Sequence, residues 1–175
     1  MKYLITGISG FAGPHLARLL LENRHEVYGL MRASNGRESD LLDVLTQDEL
    51  ASIRWVYGDL LDYTAMQNIF KKTELDGVFH LAAQSHPPTS FAQPVLTFNI
   101  NVMGTVNLID CIEKQQGHNC RLHFCSTSEI YGDQEGTLTE TSLIRPVNPY
   151  AASKAAMDLY VQERIRNGLI NGFIT

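Results

Sequence analysis

The chain has 175 residues, 44% of them apolar and 19% charged, which is the make-up of a folded globular domain with its own core. With 14 basic against 19 acidic side chains the formal charge is −5, so the basic surface that nucleic-acid binding demands is excluded. The apolar runs fall short of the roughly 20 residues of a membrane helix, and three cysteines without metal-type spacing, behind a start that lacks a secretory pattern, predict free thiols in a reducing, cytoplasmic setting.

In chain order, short apolar runs alternate with longer helical ones. Lys2 to Thr6 predicts a strand, and Phe11 to Asn23 a helix. Leu16, Leu19 and Leu20 share one face of that helix, and Pro14 lies in its first turn, where a missing N–H is harmless. Glu26 to Met31 predicts a second strand, Arg32 to Ser39 a polar loop and Asp40 to Ser52 a weak helix. Ile53 to Tyr57 is a third strand, and Asp62 caps a helix running to about Lys72. Gly77 to Ala83 reads as an almost wholly apolar fourth strand.

Gln93 to Gln116 predicts a long helix with two apolar faces, one of Val95, Val102, Val106 and Ile109, the other of Leu96, Ile100 and Met103. One face should cover the sheet and the other a partner subunit. Arg121 to Cys125 is a fifth strand, residues 133–147 a polar loop, Asn148-Pro149 the opening of a helix to about Asn167, and Gly172 to Thr175 the start of a sixth strand. Continuous apolar strands joined by helices predict an α/β fold, a doubly wound parallel sheet covered on both faces.

Thr6-Gly7-Ile8-Ser9-Gly10-Phe11-Ala12-Gly13 follows the first strand and opens the first helix. Gly7 permits the tight turn, Gly10 lets a pyrophosphate approach the backbone, and Gly13 allows close packing of the helix. The helix N-terminus supplies N–H groups and a positive dipole end. The segment is therefore expected to bind a dinucleotide through Gly7, Ile8, Ser9, Gly10, Phe11 and Gly13, on a Rossmann fold spanning residues 1–175. No Lys-Ser or Lys-Thr follows, which excludes a nucleoside-triphosphate P-loop. The second strand ends without the acid that would hold a ribose 2′-hydroxyl. Arg32 stands there instead, suited to a 2′-phosphate, so NADP is expected rather than NAD. Asp59 with Leu60 is placed to receive the adenine, and Leu81, Ala82, Ala83 and Gln84 leave room for the middle of the cofactor.

Tyr150 and Lys154 lie four apart near the start of a helix and so share a face. An ammonium there is expected to lower the tyrosine pKa and let the phenol take a proton from an alcohol. Thr127, at the end of the fifth strand, offers a hydroxyl to the same substrate oxygen. Glu129 adds a carboxylate that simple alcohol oxidation does not need, but that is useful where a proton must leave the carbon beside a new ketone. Ser85, His86 and Ser128 are candidate substrate contacts, and no metal site is expected.

The glycine turn, Asp59-Leu60, His80-Leu81-Ala82-Ala83, Asn101-Val102-Met103-Gly104-Thr105, Ser126-Thr127-Ser128-Glu129-Ile130-Tyr131-Gly132 and Tyr150-x-x-x-Lys154 together resemble the extended short-chain dehydrogenase/reductases over essentially all 175 residues. Within that group Gln84-Ser85-His86, the Arg32 loop and Thr127-Ser128-Glu129 are most similar to GDP-mannose 4,6-dehydratases. The resemblance implies Thr127, Glu129, Tyr150 and Lys154 as the catalytic set, NADP retained through the cycle, GDP-mannose as substrate and a homodimer through paired helices. It implies that Tyr150 deprotonates the sugar C4 hydroxyl, after which Glu129 removes the C5 proton and water leaves from C6. Phe11 and Ala12 depart from the polar residues of many such dehydratases. Nucleotide-sugar decarboxylases, 4-epimerases and 4-ketoreductases share the scaffold, and a non-catalytic NADP-binding domain is the reading from another class. Relatives carry a further C-terminal lobe over the sugar, so the sequence is expected to be the N-terminal part of a longer architecture.

Overall fold

The computed structural model describes residues 1–32 and 41–175. The polar loop expected after Arg32 and the Asp40 start of the weak helix lie outside the described residues.

Six strands form one sheet among the described residues: β1 (Lys2–Thr6), β2 (Glu26–Met31), β3 (Arg54–Tyr57), β4 (Gly77–His80), β5 (Arg121–Phe124) and β6 (Asn171–Ile174). Their order is β3-β2-β1-β4-β5-β6, and every neighbouring pair is parallel. This is the doubly wound order, with its reversal between β1 and β4. β4 stops at His80, three residues before the expected end. Leu81 N–H still reaches the Thr6 carbonyl at 3.2 Å, but β1 then turns away at Gly7, and Ala82 N–H finds only the Thr6 hydroxyl, at 3.3 Å.

Alternate residues of the strands feed two cores. Leu4, Leu30, Val78, Leu122 and Phe124 point to one face. There they meet Met66 and Phe70 of α3 (Tyr63–Lys72), Leu108 and Ile112 of a central helix, and Met157 and Val161 of the helix Pro149–Arg166. Ile5, Val27 and Met31 point the other way, onto Ala17 and Leu20 of α1 (Gly13–Glu22). α2 (Gln47–Ser52) is shorter than the weak helix expected there. Its start is fixed by a capping box in which Glu49 N–H donates to the Thr46 hydroxyl at 3.2 Å and Thr46 N–H donates to the Glu49 carboxylate at 2.6 Å. Asp62 caps α3 as expected, accepting from Ala65 N–H at 3.0 Å.

The central helical segment differs from its expected form. A short helix α4 (Pro87–Ala92) precedes it, with prolines in its first turn. The segment Pro94–Gln115 is then α5 (Pro94–Phe98), a π turn (Asn99–Met103) and α6 (Gly104–Gln115). The wider π turn resets the helical phase. The first apolar stripe therefore holds from Val102 through Val106 and Ile109, which pack on the core, but fails at Val95, which is 73% exposed. Of the second stripe, Ile100 lines a cavity while Leu96 and Met103 stay exposed. By length and mean hydropathy, 1.4, this segment could cross a membrane, contrary to the reading of the apolar runs; here it packs on the sheet through Leu108, Ile109 and Ile112. Helix α7 (Pro149–Arg166) closes the same face.

Candidate active site

The glycine turn, Arg32, Asp59, Leu60, Leu81 to His86 and Thr127 to Glu129 follow the C-terminal ends of strands, where parallel sheets hold their ligands, while Tyr150 and Lys154 come from α7. β1 runs into Gly7, whose φ of +73° is left-handed. A Cβ at Gly7 would stand 2.7 Å from Ala82 N, so the turn is packed directly against the chain leaving β4. At Gly13 a Cβ would meet the Ile8 carbonyl oxygen at 2.3 Å, which fixes how closely α1 lies on the turn. No side chain caps the N-terminus of α1, which leaves its first-turn N–H groups to an anion.

A cavity of about 420 Å³ opens beside this turn. Gly7, Ser9, Arg32, Asp59, Leu60, Ala82, Ala83 and Gln84 of the expected cofactor set line it, as do Ser85 and His86 of the expected substrate set. Ile8, Gly10, Phe11, Gly13 and Leu81 of the expected cofactor set do not line it. Ile8 buries its side chain completely among Ile5, Ala17 and Val27, because the turn folds it back under the sheet. Leu81 packs against the same core. Phe11 is 94% exposed at the tip of the turn beside His15, and neither it nor Gly10 lines the cavity. One Asp59 carboxylate oxygen accepts from Leu61 N–H at 2.9 Å, which holds the side chain in its own turn.

The catalytic candidates sit one strand further along. After β5 the chain makes a 3₁₀ turn, Ser128–Tyr131, capped by the Thr127 hydroxyl, which accepts from Glu129 N–H at 3.3 Å. Thr127 and Ser128 line a second cavity of about 790 Å³, with Cys125, Ser126 and Asp158. Asn148 caps α7 through its side-chain oxygen, accepting from Ala151 N–H at 2.7 Å, and donates its amide to Glu129 Oε2 at 2.8 Å. Tyr150 and Lys154 are both buried on α7. The Thr127 hydroxyl lies close enough to the Tyr150 phenol to favour its ionised form.

The expected lowering of Tyr150 by Lys154 does not occur in this structure. Burial, together with the charge of Glu129, raises the phenol above its usual range against the pull of the Thr127 hydroxyl. Lys154 instead donates to the Cys125 carbonyl and lies 4.3 Å from the Phe124 ring centre, and burial pushes it down to about 8. The two side chains share a helix face, but the ammonium is spent on the end of β5.

A buried polar chain of fixed donor direction joins the two halves of the site. Thr105 donates its hydroxyl proton to the Asn101 carbonyl at 2.6 Å, so its oxygen must accept from His80 Nε2–H at 2.8 Å. His80 Nδ1 is then the acceptor from the Thr6 hydroxyl at 2.7 Å, and Thr6 in turn accepts from Ala82 N–H. Burial holds His80 down to about 3, which agrees with the neutral ring this order requires. Asn101 continues the chain. Its side chain exchanges hydrogen bonds with the backbone of Gln84, at 2.7 and 3.0 Å, and donates to the Ser153 hydroxyl at 2.9 Å, which donates to the Tyr150 carbonyl at 2.7 Å. His80, Thr105, Asn101, Ser153 and Asp158 were not singled out by the sequence reading for any such role; Asp158 accepts from the Ser126 hydroxyl at 2.5 Å. Polar residues inside otherwise apolar periodic runs were the signal available.

A family model described as GDP-mannose 4,6 dehydratase matches residues 4–167. A GDP-mannose 4,6-dehydratase of Yersinia enterocolitica is 37% identical over 158 residues, 87% of this chain and 42% of the relative. Among solved structures, a dTDP-glucose 4,6-dehydratase of Streptomyces venezuelae, with NAD and TYD bound, superposes with a TM-score of 0.85 at 32% identity, over 99% of this chain and 54% of that one. A UDP-glucose 4-epimerase of Thermus thermophilus in complex with NAD gives a TM-score of 0.87 at 29% identity over the same shares. The chain thus spans about half, or somewhat less, of the length of these proteins.

Proposed function

The chain belongs to the GDP-mannose 4,6-dehydratase family, and on that premise we propose that the protein converts GDP-mannose to a GDP-4-keto-6-deoxy sugar with NADP retained through the cycle. One observation carries the choice of elimination over plain oxidation or epimerisation. A carboxylate, Glu129, is held by Asn148 close enough to Tyr150 for its charge to raise the phenol.

The residues present fit a dinucleotide. The Gly7 turn has no room for a side chain, the helix behind it is uncapped, and the cavity is lined by small side chains at Ala82 and Ala83. Gly7, Ser9 and the start of α1 would hold the phosphates, Asp59 and Leu60 the adenine, and Arg32 a 2′-phosphate. When bound, the nicotinamide supplies the acceptor, and later the donor, of the hydride exchanged with the sugar. Tyr150, brought to its phenolate when Lys154 leaves the Cys125 carbonyl and turns its ammonium toward the phenol, takes the C4 hydroxyl proton while Thr127 holds that oxygen. Glu129 takes the C5 proton, acidified by the C4 ketone, as the C6–oxygen bond breaks and a C5–C6 double bond forms. That proton is the one the departing oxygen needs to leave as water, so the elimination is neutral overall; C6 then receives the hydride removed from C4 while the proton held by Tyr150 goes to C5, which completes the 6-deoxy sugar. Lys154 orients the ribose side of the site once it exchanges the Cys125 carbonyl for a ligand hydroxyl. Ser85, His86 and Ser128 flank the sugar from the two cavities. A homodimer through the exposed apolar side of Pro94–Gln115 completes the reading.

Full-length protein incubated with GDP-mannose is expected to release the 4-keto-6-deoxy product, read as loss of one water by mass spectrometry. Glu129→Gln is expected to lower kcat by ~100-fold or more while cofactor affinity stays unchanged. A wild-type enzyme that only inverts C4 of a nucleotide sugar would establish the epimerase reading instead. Loss of cofactor binding in Glu129→Gln would place that carboxylate in the nucleotide site.

A further inference from the structure

Asn148 sits where two demands meet. Its side-chain oxygen caps the first turn of α7, the helix that carries Tyr150 and Lys154, at 2.7 Å from Ala151 N. Its side-chain nitrogen lies 2.8 Å from Glu129 Oε2. An amide is the side chain that can accept at one end and donate at the other from a single rigid plane. Serine or aspartate would serve the cap equally well. Neither carries an N–H₂ group that reaches Glu129, so the cap by itself does not require asparagine.

The surroundings of Glu129 leave the amide a specific task. The backbone of the 3₁₀ turn is already fixed. Glu129 N–H goes to Thr127 at 3.3 Å, the Glu129 carbonyl accepts from Gly132 N–H at 3.1 Å, and Arg145 N–H closes on the Ile130 carbonyl at 2.8 Å. Gly132 has a φ of +64°, and a Cβ there would meet the Arg145 carbonyl oxygen at 2.0 Å, so the turn is clamped against the polar loop. What the backbone leaves undetermined is the direction of the carboxylate on its flexible stem. The amide of Asn148 sets that direction, from the first residue of the structure that also sets Tyr150.

We propose that Asn148 is a positioning residue that aims the Glu129 carboxylate at the reacting carbon and fixes it in register with Tyr150, through the 2.8 Å amide–carboxylate bond between the cap of α7 and the turn after β5. The proposal rests on the dehydratase reading, in which Glu129 takes the C5 proton. One plane of four heavy atoms thus ties the base to the helix that bears the acid–base phenol. A displacement of about 1 Å at such a group costs on the order of 100-fold in rate.

The test separates the two halves of the amide in the full-length enzyme. Asn148→Ser and Asn148→Asp keep an acceptor for Ala151 N–H and lose the donor to Glu129. Both are expected to hold Tm and KM near wild type while kcat falls ~10- to 100-fold. Because C4 oxidation precedes C5 deprotonation, reduced-nicotinamide absorbance is expected to build up during turnover in both variants and not in the wild type. Asn148→Ala, which also loses the cap, is expected to lower Tm as well. Wild-type kcat in the serine variant, or a kcat that falls only where Tm falls, would overturn the positioning role. A second readout needs no turnover: the Asn148 side-chain amide resonances are expected to move on Glu129→Ala, and their staying put would show that the bond is absent in solution. A wild-type enzyme that forms no keto product from GDP-mannose overturns the dehydratase reading and the role of Asn148 in it, and the amide resonances still report whether the contact exists.

Discussion

Arg32 shows how one side chain can carry a cofactor preference. It directly follows β2, is exposed, and lines the cavity beside Gly58 and Asp59. Two solved neighbours carry NAD, so the expectation of NADP belongs to this position rather than to the fold. A guanidinium pairs a phosphate with charge-assisted, often bidentate, hydrogen bonds, and a carboxylate at the same place would repel it. Arg32→Asp is therefore expected to move the ratio of NADP to NAD dissociation constants by ~10- to 100-fold toward NAD, measured by fluorescence titration of both cofactors. An unchanged ratio would remove Arg32 from cofactor recognition. Tyr150 illustrates the opposite case, where a residue was legible and its ionisation was not. Spacing places it with Lys154 on one helix face, but the carbonyl that takes up the ammonium belongs to Cys125, which the sequence puts 29 residues away from Lys154.

At the scale of elements, the strands and most helices could be read from apolar runs and caps, because burial between two layers leaves little choice of pattern. Asp62 and Asn148 mark their helices by a hydrogen bond that the residue type itself predicts. The π turn could not be read. It carries Asn101 inward, where the side chain bonds Gln84 and Ser153, and no periodicity encodes a contact between this turn, the chain after β4 and α7. Helix α7 is similarly opaque, since it buries Ser153, Lys154 and Asp158 beside Met157 and Val161, and its polar and apolar residues do not separate into faces. The phase shift leaves Val95, Leu96 and Met103 exposed along one helix, with Leu159 exposed on α7. Covering such a ridge is expected to stabilise a dimer. For the proposed dimer, wild-type protein is expected to sediment as a dimer at micromolar concentration and the double substitution Leu96→Glu and Met103→Glu as a monomer; a monomeric wild type would remove the dimer, and an unaltered dimer in the variant would move the interface elsewhere.

For the whole molecule, the buried chain from Ala82 through His80 to Tyr150 ties the two halves of the sheet together and makes stability depend on one neutral ring. His80 is pushed from 6.5 down to about 3 by burial. As pH falls below the unfolded value, the unfolded chain takes up a proton that the folded one refuses, so stability is lost from about pH 6.5 toward pH 3, at up to ~1.4 kcal/mol per pH unit. A second proton on the ring would also set two donors against each other at Thr6 Oγ1. His80→Gln is expected to be less stable at neutral pH, from lost hydrogen bonds, but to show a flatter decline between pH 6.5 and 5 in urea unfolding. Equal slopes in the two proteins would exclude His80 as the titrating group. The parallel order of the sheet has another outcome, one of mutational freedom. Because β1 to β5 all end at one rim, Arg32, Asp59, Gln84 and Glu129 lie just beyond the hydrogen-bonded ladder, where a new side chain alters chemistry and leaves the layers below unaffected. α7 is the exception. With Tyr150 and Lys154 built into its buried side, it is the stretch of chain where new activity and lost stability arise from the same substitutions.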